Sequence, residues 1–97
     1  MYTEEAHMII SFNDDSFSRH KISHREALEV IRNPSTKSFS LQDSKEGNDC
    51  EMYVGFTDSG CLLEIGVEYL DDSDHCFHGQ VVSPKFRKLF EEDLWES

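Results

Sequence analysis

The sequence predicts an α+β domain with an antiparallel sheet of three to four strands, preceded by a strand and helices and followed by a helix that packs on the sheet. Its 97 residues leave room for one modest core, so we expect a single domain over 1–97. Apolar alternation through residues 52–69 indicates paired strands. A serine–proline pair at 83–84 indicates the start of the last helix. We expect residues 7–92 to form the compact core and the two ends, 1–6 and 93–97, to be tails.

The N-terminal part of the chain is typical of a short strand followed by two helical segments. Residues 8–12 are apolar enough for a strand, and the asparagine and aspartates that follow can cap a helical turn over 16–21. Ser23 begins the next helix with Glu26 three residues later, the capping-box arrangement. Pro34 ends that helix.

The C-terminal part is typical of a meander of strands. Residues 38–42 alternate weakly and allow one strand, and residues 52–56 and 62–69 form a hairpin around an Asp-Ser-Gly turn. A further strand over residues 75–82 leads into the basic last helix, whose apolar residues recur at helical spacing.

The faces of the last strand depend on the register of the hairpin formed by residues 61–70 and 75–82. Apolar alternation assigns three residues to the core and three to the opposite face: Phe77, Gly79 and Val81 to the core, and Cys76, His78 and Gln80 to the other side. A four-residue turn at 71–74 would instead pair His78 with Val67 and turn it inward, because a slip of one residue reverses every side chain. We favour the outward orientation of His78.

The charge is strongly segregated along the chain. A net charge of −11 disfavours a nucleic-acid ligand, because phosphate binding depends on basic surface. Residues 19–37, however, carry five basic residues against two acidic ones, and residues 83–90 carry three basic residues and no acid. A small basic patch on an acidic body is therefore expected.

The cysteine and hydropathy patterns predict neither a disulfide framework nor a membrane segment. The 3 cysteines lack CxxC spacing, so we expect buried, reduced thiols. No apolar run approaches the roughly 20 residues needed to cross a bilayer. The N-terminus also lacks the basic-then-apolar order of a signal peptide, which favours a cytoplasmic protein.

A metal site is not predicted. The candidate ligands are dispersed along the sequence: His20, His24, Cys76 and His78. A helix start falls between the first two, and these positions lack the tight paired spacing of zinc ligands. We therefore expect no cofactor.

Three segments resemble the BrnT toxins, small members of the RelE/ParE-like group of toxin–antitoxin toxins. Residues 12–34, "FNDDSFSRHKISHREALEVIRNP", are similar to the family's opening, with an aromatic near an acid, a basic–His pair and a capped helix that ends before proline. Residues 52–70 are similar to its central hairpin with a glycine turn. Residues 77–92, "FHGQVVSPKFRKLFEE", are similar to its closing strand and basic C-terminal helix.

The resemblance implies a cytoplasmic bacterial domain that cleaves RNA and is held inactive by an antitoxin protein. The sequence departs from the family where a strand-end arginine is expected as an active-site cation, because Gln80 stands there. His78 occupies a position where a small residue is usual, and the basic run that follows is thinner. In this respect the chain is more similar to a less characterised branch of toxin-like proteins with histidine in that strand and a basic helix after it.

Metal-free RNA cleavage requires a base, an acid and cations around one phosphate. The resemblance implies that His20 and His78 transfer protons. We expect the remaining roles to be divided between charge and substrate contacts, with Arg19 and Arg87 stabilising charge and Gln80, Lys85 and Lys88 binding substrate. A structural alternative for His20 is that it packs beside Phe17 and caps the short helix.

Two functions remain open from the sequence. One is a toxin-like ribonuclease inhibited by an antitoxin-like partner. The other is a non-catalytic protein-interaction module on the same fold, whose net charge of −11 repels RNA. A homodimer is compatible with both.

Overall fold

The computed structural model describes residues 9–96, with side chains described as far as Glu92. The predicted N-terminal tail, 1–6, lies outside the described residues, as do Ser97 and the side chains of the predicted tail at 93–97. The elements follow in the order β1 (Ile9–Phe12), α1 (Asp14–Arg19), α2 (His24–Arg32), β2 (Lys37–Leu41), β3 (Cys50–Phe56), β4 (Leu62–Tyr69), β5 (Ser73–Val81) and α3 (Pro84–Glu96). The predicted α+β class is confirmed.

One mixed sheet of five strands, in the order β1-β5-β4-β3-β2, forms the centre of the fold. The strands β2 to β5 make the antiparallel meander that the sequence predicts. The predicted number of three to four strands is too low, because β1 joins the sheet as an edge strand parallel to β5, with Ile9 opposite Ser73. The long connection from β1 back to its partner is what permits a parallel pair.

The helices α1 and α2 cover one face of the sheet. Helix α2 begins with the predicted capping box, in which Ser23 Oγ accepts from the Glu26 N–H and Glu26 Oε1 accepts from the Ser23 N–H. The core on this side centres on Phe17, which is 2% exposed and packs edge-on against Phe12 at 5.3 Å between ring centroids. Its other buried members are Ile22, Ala27, Val30, Leu63, Ile65, Val67 and Cys76.

Helix α3 packs on the sheet, as predicted, and it covers the face opposite α1 and α2. Two aromatic pairs join it to the sheet, Phe39–Phe86 and Phe56–Phe90, with ring centroids 6.2 and 5.8 Å apart. Complete burial of an aromatic or large aliphatic side chain stabilises a fold by about 1.5–3 kcal/mol. Because helices lie on both sides, β4 has no solvent-facing side in its middle, and neighbouring residues such as Leu62 and Leu63 are both buried.

A β-bulge sets the faces of β5. In β4, Gly66 lies opposite His78, and the residue after it, Val67, lies opposite Cys76. Phe77 is therefore the extra residue in β5. Cys76 is consequently buried in the core beside α1 and α2, where the sequence did not place it. The alternation also fails at Val81, which is 64% exposed.

Candidate functional site

A buried carboxylate on β4 organises the candidate site. Glu64 is 3% exposed and both of its oxygens have partners. Its Oε2 lies 2.8 Å from His78 Nε2, and its Oε1 accepts a 2.8 Å hydrogen bond from the Ser83 N–H. A buried carboxylate is costly unless it is paired and hydrogen-bonded, and Glu64 meets both conditions.

The position of Glu64 follows from the two-sided burial of β4. Its side chain lies on the α3 face of the sheet, where the chain passes from β5 into α3. The Ser83 carbonyl accepts from the Arg87 N–H at the first turn of α3, so the Ser83 amide belongs to the start of that helix. The partial positive charge at a helix N-terminus stabilises a carboxylate placed there.

The His78 side chain is held by this carboxylate. Its relative exposure is 26%, against 4% for the Glu64 side chain. An ionised Glu64 can only accept, which assigns a proton to His78 Nε2 and leaves Nδ1 of the neutral ring as an acceptor. The arrangement therefore provides an oriented imidazole that is partly exposed to solvent.

A second imidazole lies beside the first. The His20 and His78 ring centroids are 6.2 Å apart. The strand β1 ends at Phe12, which lies opposite Cys76. Beyond Cys76, β5 has no neighbouring strand on this side among the described residues. The His20 ring reaches His78 from this open edge. The next residue, Lys21, has a positive φ of 58°, which turns the chain from α1 towards α2.

The structural alternative for His20 is that it caps the short helix and packs beside Phe17. The cap is present, but the ring of His20 does not pair with that of Phe17. The His20 residue is exposed and caps the C-terminus of α1, where its N–H donates to the Ser16 carbonyl and the Lys21 N–H donates to the Ser18 carbonyl. The ring contacts of Phe17 are with Phe12 and His24.

The two predicted cations lie on the helices α1 and α3, and neither forms a hydrogen bond with His20 or His78 within the described chain. Arg19 is exposed in the last turn of α1, next to His20 in the chain, and Arg87 Nη1 lies 3.8 Å from Glu91 Oε2. The hydrogen-bond and ring contacts of His78 within the described chain are with Glu64, His20 and Phe77, and do not include either arginine.

The predicted substrate-binding residues lie on the two elements that join at Ser83. Gln80 lies directly opposite Glu64 across β4 and β5. Lys85 Nζ stands 5.3 Å from the centroid of the Phe86 ring, and Lys88 is exposed on α3.

The remaining histidines near these elements have structural partners. His24 Nε2 lies 2.6 Å from Asp14 Oδ1, and its ring stacks on Phe12 with centroids 3.9 Å apart. His75 Nδ1 lies 2.7 Å from Ser11 Oγ. Within the part of the chain that the structure describes, no group of three or more histidine, cysteine or acidic side chains is arranged to hold a metal ion.

The cysteines are free thiols. Cys50 and Cys76 are buried as expected, whereas Cys61, in the turn between β3 and β4, is exposed and corrects that expectation. Burial, with a smaller contribution from the nearby Asp74, raises the pKa of Cys76 to about 12. A thiol that resists ionisation in this way is a poor nucleophile.

The sequence interpretation missed Glu64. Alternation placed it on a face opposite the core, which would be solvent-exposed in a sheet covered on one side only. The signal that was available is the apolar pair Leu62–Leu63 directly before it, because two adjacent apolar residues in a strand indicate burial of both faces.

No protein-family model matches the sequence, and no curated protein matches it either. Among the described helices, none is long and apolar enough to cross a membrane.

Proposed function

We propose that the chain is a toxin-like, metal-free endoribonuclease in which His78 and His20 transfer protons and which a partner protein inhibits. The observation that carries the proposal is the pairing of His78 with the buried carboxylate of Glu64, with a second imidazole 6.2 Å away. An oriented imidazole beside another titratable group is the arrangement that general acid–base catalysis requires. Resemblance to the BrnT toxins supplies the substrate class.

The reaction that two imidazoles support is transphosphorylation of RNA. One histidine removes the proton of a ribose 2′-hydroxyl as its oxygen attacks the adjacent phosphorus. The bond from phosphorus to the 5′-oxygen breaks, and the other histidine donates a proton to that oxygen. The products are a 2′,3′-cyclic phosphate and a 5′-hydroxyl, and neither a metal nor an external oxidant enters the balance.

In this proposal, Glu64 keeps the His78 ring in one orientation and tautomer. The same carboxylate would stabilise the imidazolium that forms when the ring takes a proton, as buried carboxylates do in other histidine-dependent sites. Arg19 and Arg87 would supply positive charge from the helices on either side. Gln80, Lys85 and Lys88 would contact the RNA backbone.

The test compares two histidines of the same strand. Purified protein is incubated with RNA in the presence of EDTA, and products are analysed for 2′,3′-cyclic ends. We expect cleavage by the unmodified chain and by His75→Gln. His78→Gln should lose at least about 100-fold in rate, since general acid–base groups contribute about 10²–10⁴-fold. Cleavage that persists in His78→Gln, or that EDTA abolishes, would contradict the proposal.

The second candidate is an acidic, non-catalytic interaction module. It is favoured by the net charge of −11 and by the lack of contact between His78 and either predicted arginine in the described chain. Such a surface suits a basic partner protein. RNA that stays intact in the same assay would select this candidate.

A further inference from the structure

A cavity of about 490 Å³ opens on the α3 side of the sheet. It lies at the end of β3 and β4 where Cys50 faces Glu68, distant along the strands from the turn at Thr57–Cys61. Its walls combine apolar side chains with three polar ones: Leu41, Cys50 and Phe77, with Gln42, Ser44 and Glu68. Its volume is within the range of small-molecule sites, about 300–1,000 Å³.

The cavity and the histidine pair share an aromatic wall. Phe77 lines the cavity, and its ring centroid is 6.5 Å from that of His78. The Phe77 ring also lies directly over Gly66, where an added Cβ would be 2.8 Å from Cζ. Gly66 stands midway between Glu64 and Glu68, whose Cα atoms are about 13 Å apart at the usual strand rise. A nucleotide spans a distance of this order from phosphate to base.

Glu68 gives the cavity one ionised acceptor. Asn48 Nδ2 donates to Glu68 Oε2 at 2.9 Å. Hydrogen bonds from the Asn48 and Ser44 side chains hold the pKa of Glu68 below its ordinary value. Each carboxylate oxygen has two lone pairs, so Glu68 can accept further N–H donors.

We propose that this cavity binds the guanine base of the RNA substrate, stacked on Phe77 and hydrogen-bonded to Glu68, with the scissile phosphate at His78. The substrate assignment rests on the proposed ribonuclease function. Guanine presents two adjacent N–H donors, N1–H and the N2 amino group, and a carboxylate accepts both at once. Uracil has a single such donor, and adenine and cytosine place a ring acceptor next to their amino group. Proteins that read single-stranded RNA recognise stacked bases by these edges.

The flat aromatic faces of a base also suit the remaining walls of the cavity. Stacking on an aromatic side chain adds affinity for any base, because every base has a π-face. Leu41 and Cys50 line the same cavity as Phe77 and add no charge to it. The carboxylate therefore determines which base is preferred, while the aromatic ring contributes affinity for any base.

The binding test is independent of catalysis. The four nucleoside 3′-monophosphates are titrated into the full chain and followed by NMR at Phe77 and Glu68. We expect 3′-GMP to bind at least about 10-fold more tightly than the others. Glu68→Gln should remove that preference, because its amide replaces one acceptor with a donor. Glu46→Gln, which makes the same charge change on an exposed residue of the loop that carries Ser44 and Asn48, should retain it.

A thermal melt of each variant establishes that it is folded. Phe77→Leu is a second variant, which should weaken all four nucleotides to a similar extent. Equal binding of the four nucleotides, or a guanine preference that survives Glu68→Gln, would overturn the assignment.

Cleavage mapping separates this inference from the proposed function. We expect cuts next to guanosine, with a preference lost in Glu68→Gln. If His78→Gln stops cleavage but the cuts show no base preference, the guanine site is wrong and the ribonuclease stands. If 3′-GMP binds selectively and RNA stays intact, the guanine site stands and the catalytic proposal fails.

Discussion

The Asp74 carboxyl group is destabilising in its ionised form. It lies on β5 opposite Tyr69, and desolvation by burial raises its pKa. The folded chain therefore holds the Asp74 proton more tightly than the unfolded chain. As pH rises from the unfolded pKa, about 3.9, through the higher folded value, stability is lost, and the loss is complete above it.

Asp74→Asn should consequently raise the melting temperature at pH 7. The difference in melting temperature between Asp74→Asn and the unmodified chain should shrink as pH falls below the usual range of aspartate pKa values. Residue 74 is then uncharged in both proteins. Melting curves from pH 3 to pH 8 measure it. Asp72→Asn, at an exposed turn position, makes the same change in net charge and should shift the melting temperature less. Equal shifts would mean that net charge, rather than local desolvation, is responsible.

Single residues were predictable from sequence where their surroundings are local. Ser23 and Glu26 are within three positions of each other, so the capping box could be identified from spacing alone. The partners of Glu64 are 14 and 19 positions away, on a strand and at a helix start. Spacing in the sequence gives no information about such contacts, and so the histidines were identified as candidates while the carboxylate that holds one of them was not.

The approach of the α2–β2 connection to β3 depends on Gly55. Thr36 Oγ1 donates to the Val30 carbonyl at 2.5 Å, which fixes the connection to the end of α2. A Cβ on Gly55 would be 2.0 Å from Thr36 Oγ1 and 3.2 Å from the Thr36 Cα. Real Cβ atoms do not approach so closely, so the two segments would have to separate.

Gly55→Ala should therefore lower the free energy of unfolding by about 1–3 kcal/mol, the usual cost of overpacking a core. Urea denaturation measures this change. In a double-mutant cycle with Thr36→Ala, the combined loss should be smaller than the sum of the single losses, because the two side chains clash with each other. Additive losses would show that the cost arises elsewhere.

Helices and hairpins of this fold were easier to predict than the way they combine. The hairpin of β3 and β4 follows from alternation around a short turn, and α3 follows from the Ser83–Pro84 start. The parallel partner of β1 depends on how two helices return the chain to the sheet, and the bulge at Phe77 depends on packing over Gly66. Neither is encoded in a local pattern, so the strand count and the faces of Cys76 and Val81 in β5 were predicted incorrectly.

The whole molecule combines two packed cores with a large excess of surface carboxylates. Helices cover both sides of the sheet, and the net charge is −11. Among the ion pairs between described side chains, Arg87–Glu91 is exposed at both ends and Arg25–Glu29 at its arginine end. Exposed pairs contribute about 0–1 kcal/mol each, which is too little to offset repulsion among the unpaired acids.

Added salt should therefore stabilise the fold and, in the proposed ribonuclease, weaken the binding of RNA. The Debye length falls to about 10 Å at about 0.1 M salt, which screens like-charge repulsion across the surface. The melting temperature should rise as sodium chloride is added up to this concentration. If screening is the cause, sodium perchlorate at the same ionic strength should raise the melting temperature by a similar amount.

RNA binding by the proposed ribonuclease should respond in the opposite direction. A phosphate contact by Arg19, Arg87 or the α3 lysines would release counterions, and added salt opposes that release. The KM for RNA should consequently increase over the range in which the melting temperature rises. A KM that is independent of salt would mean that these basic side chains do not contact phosphate.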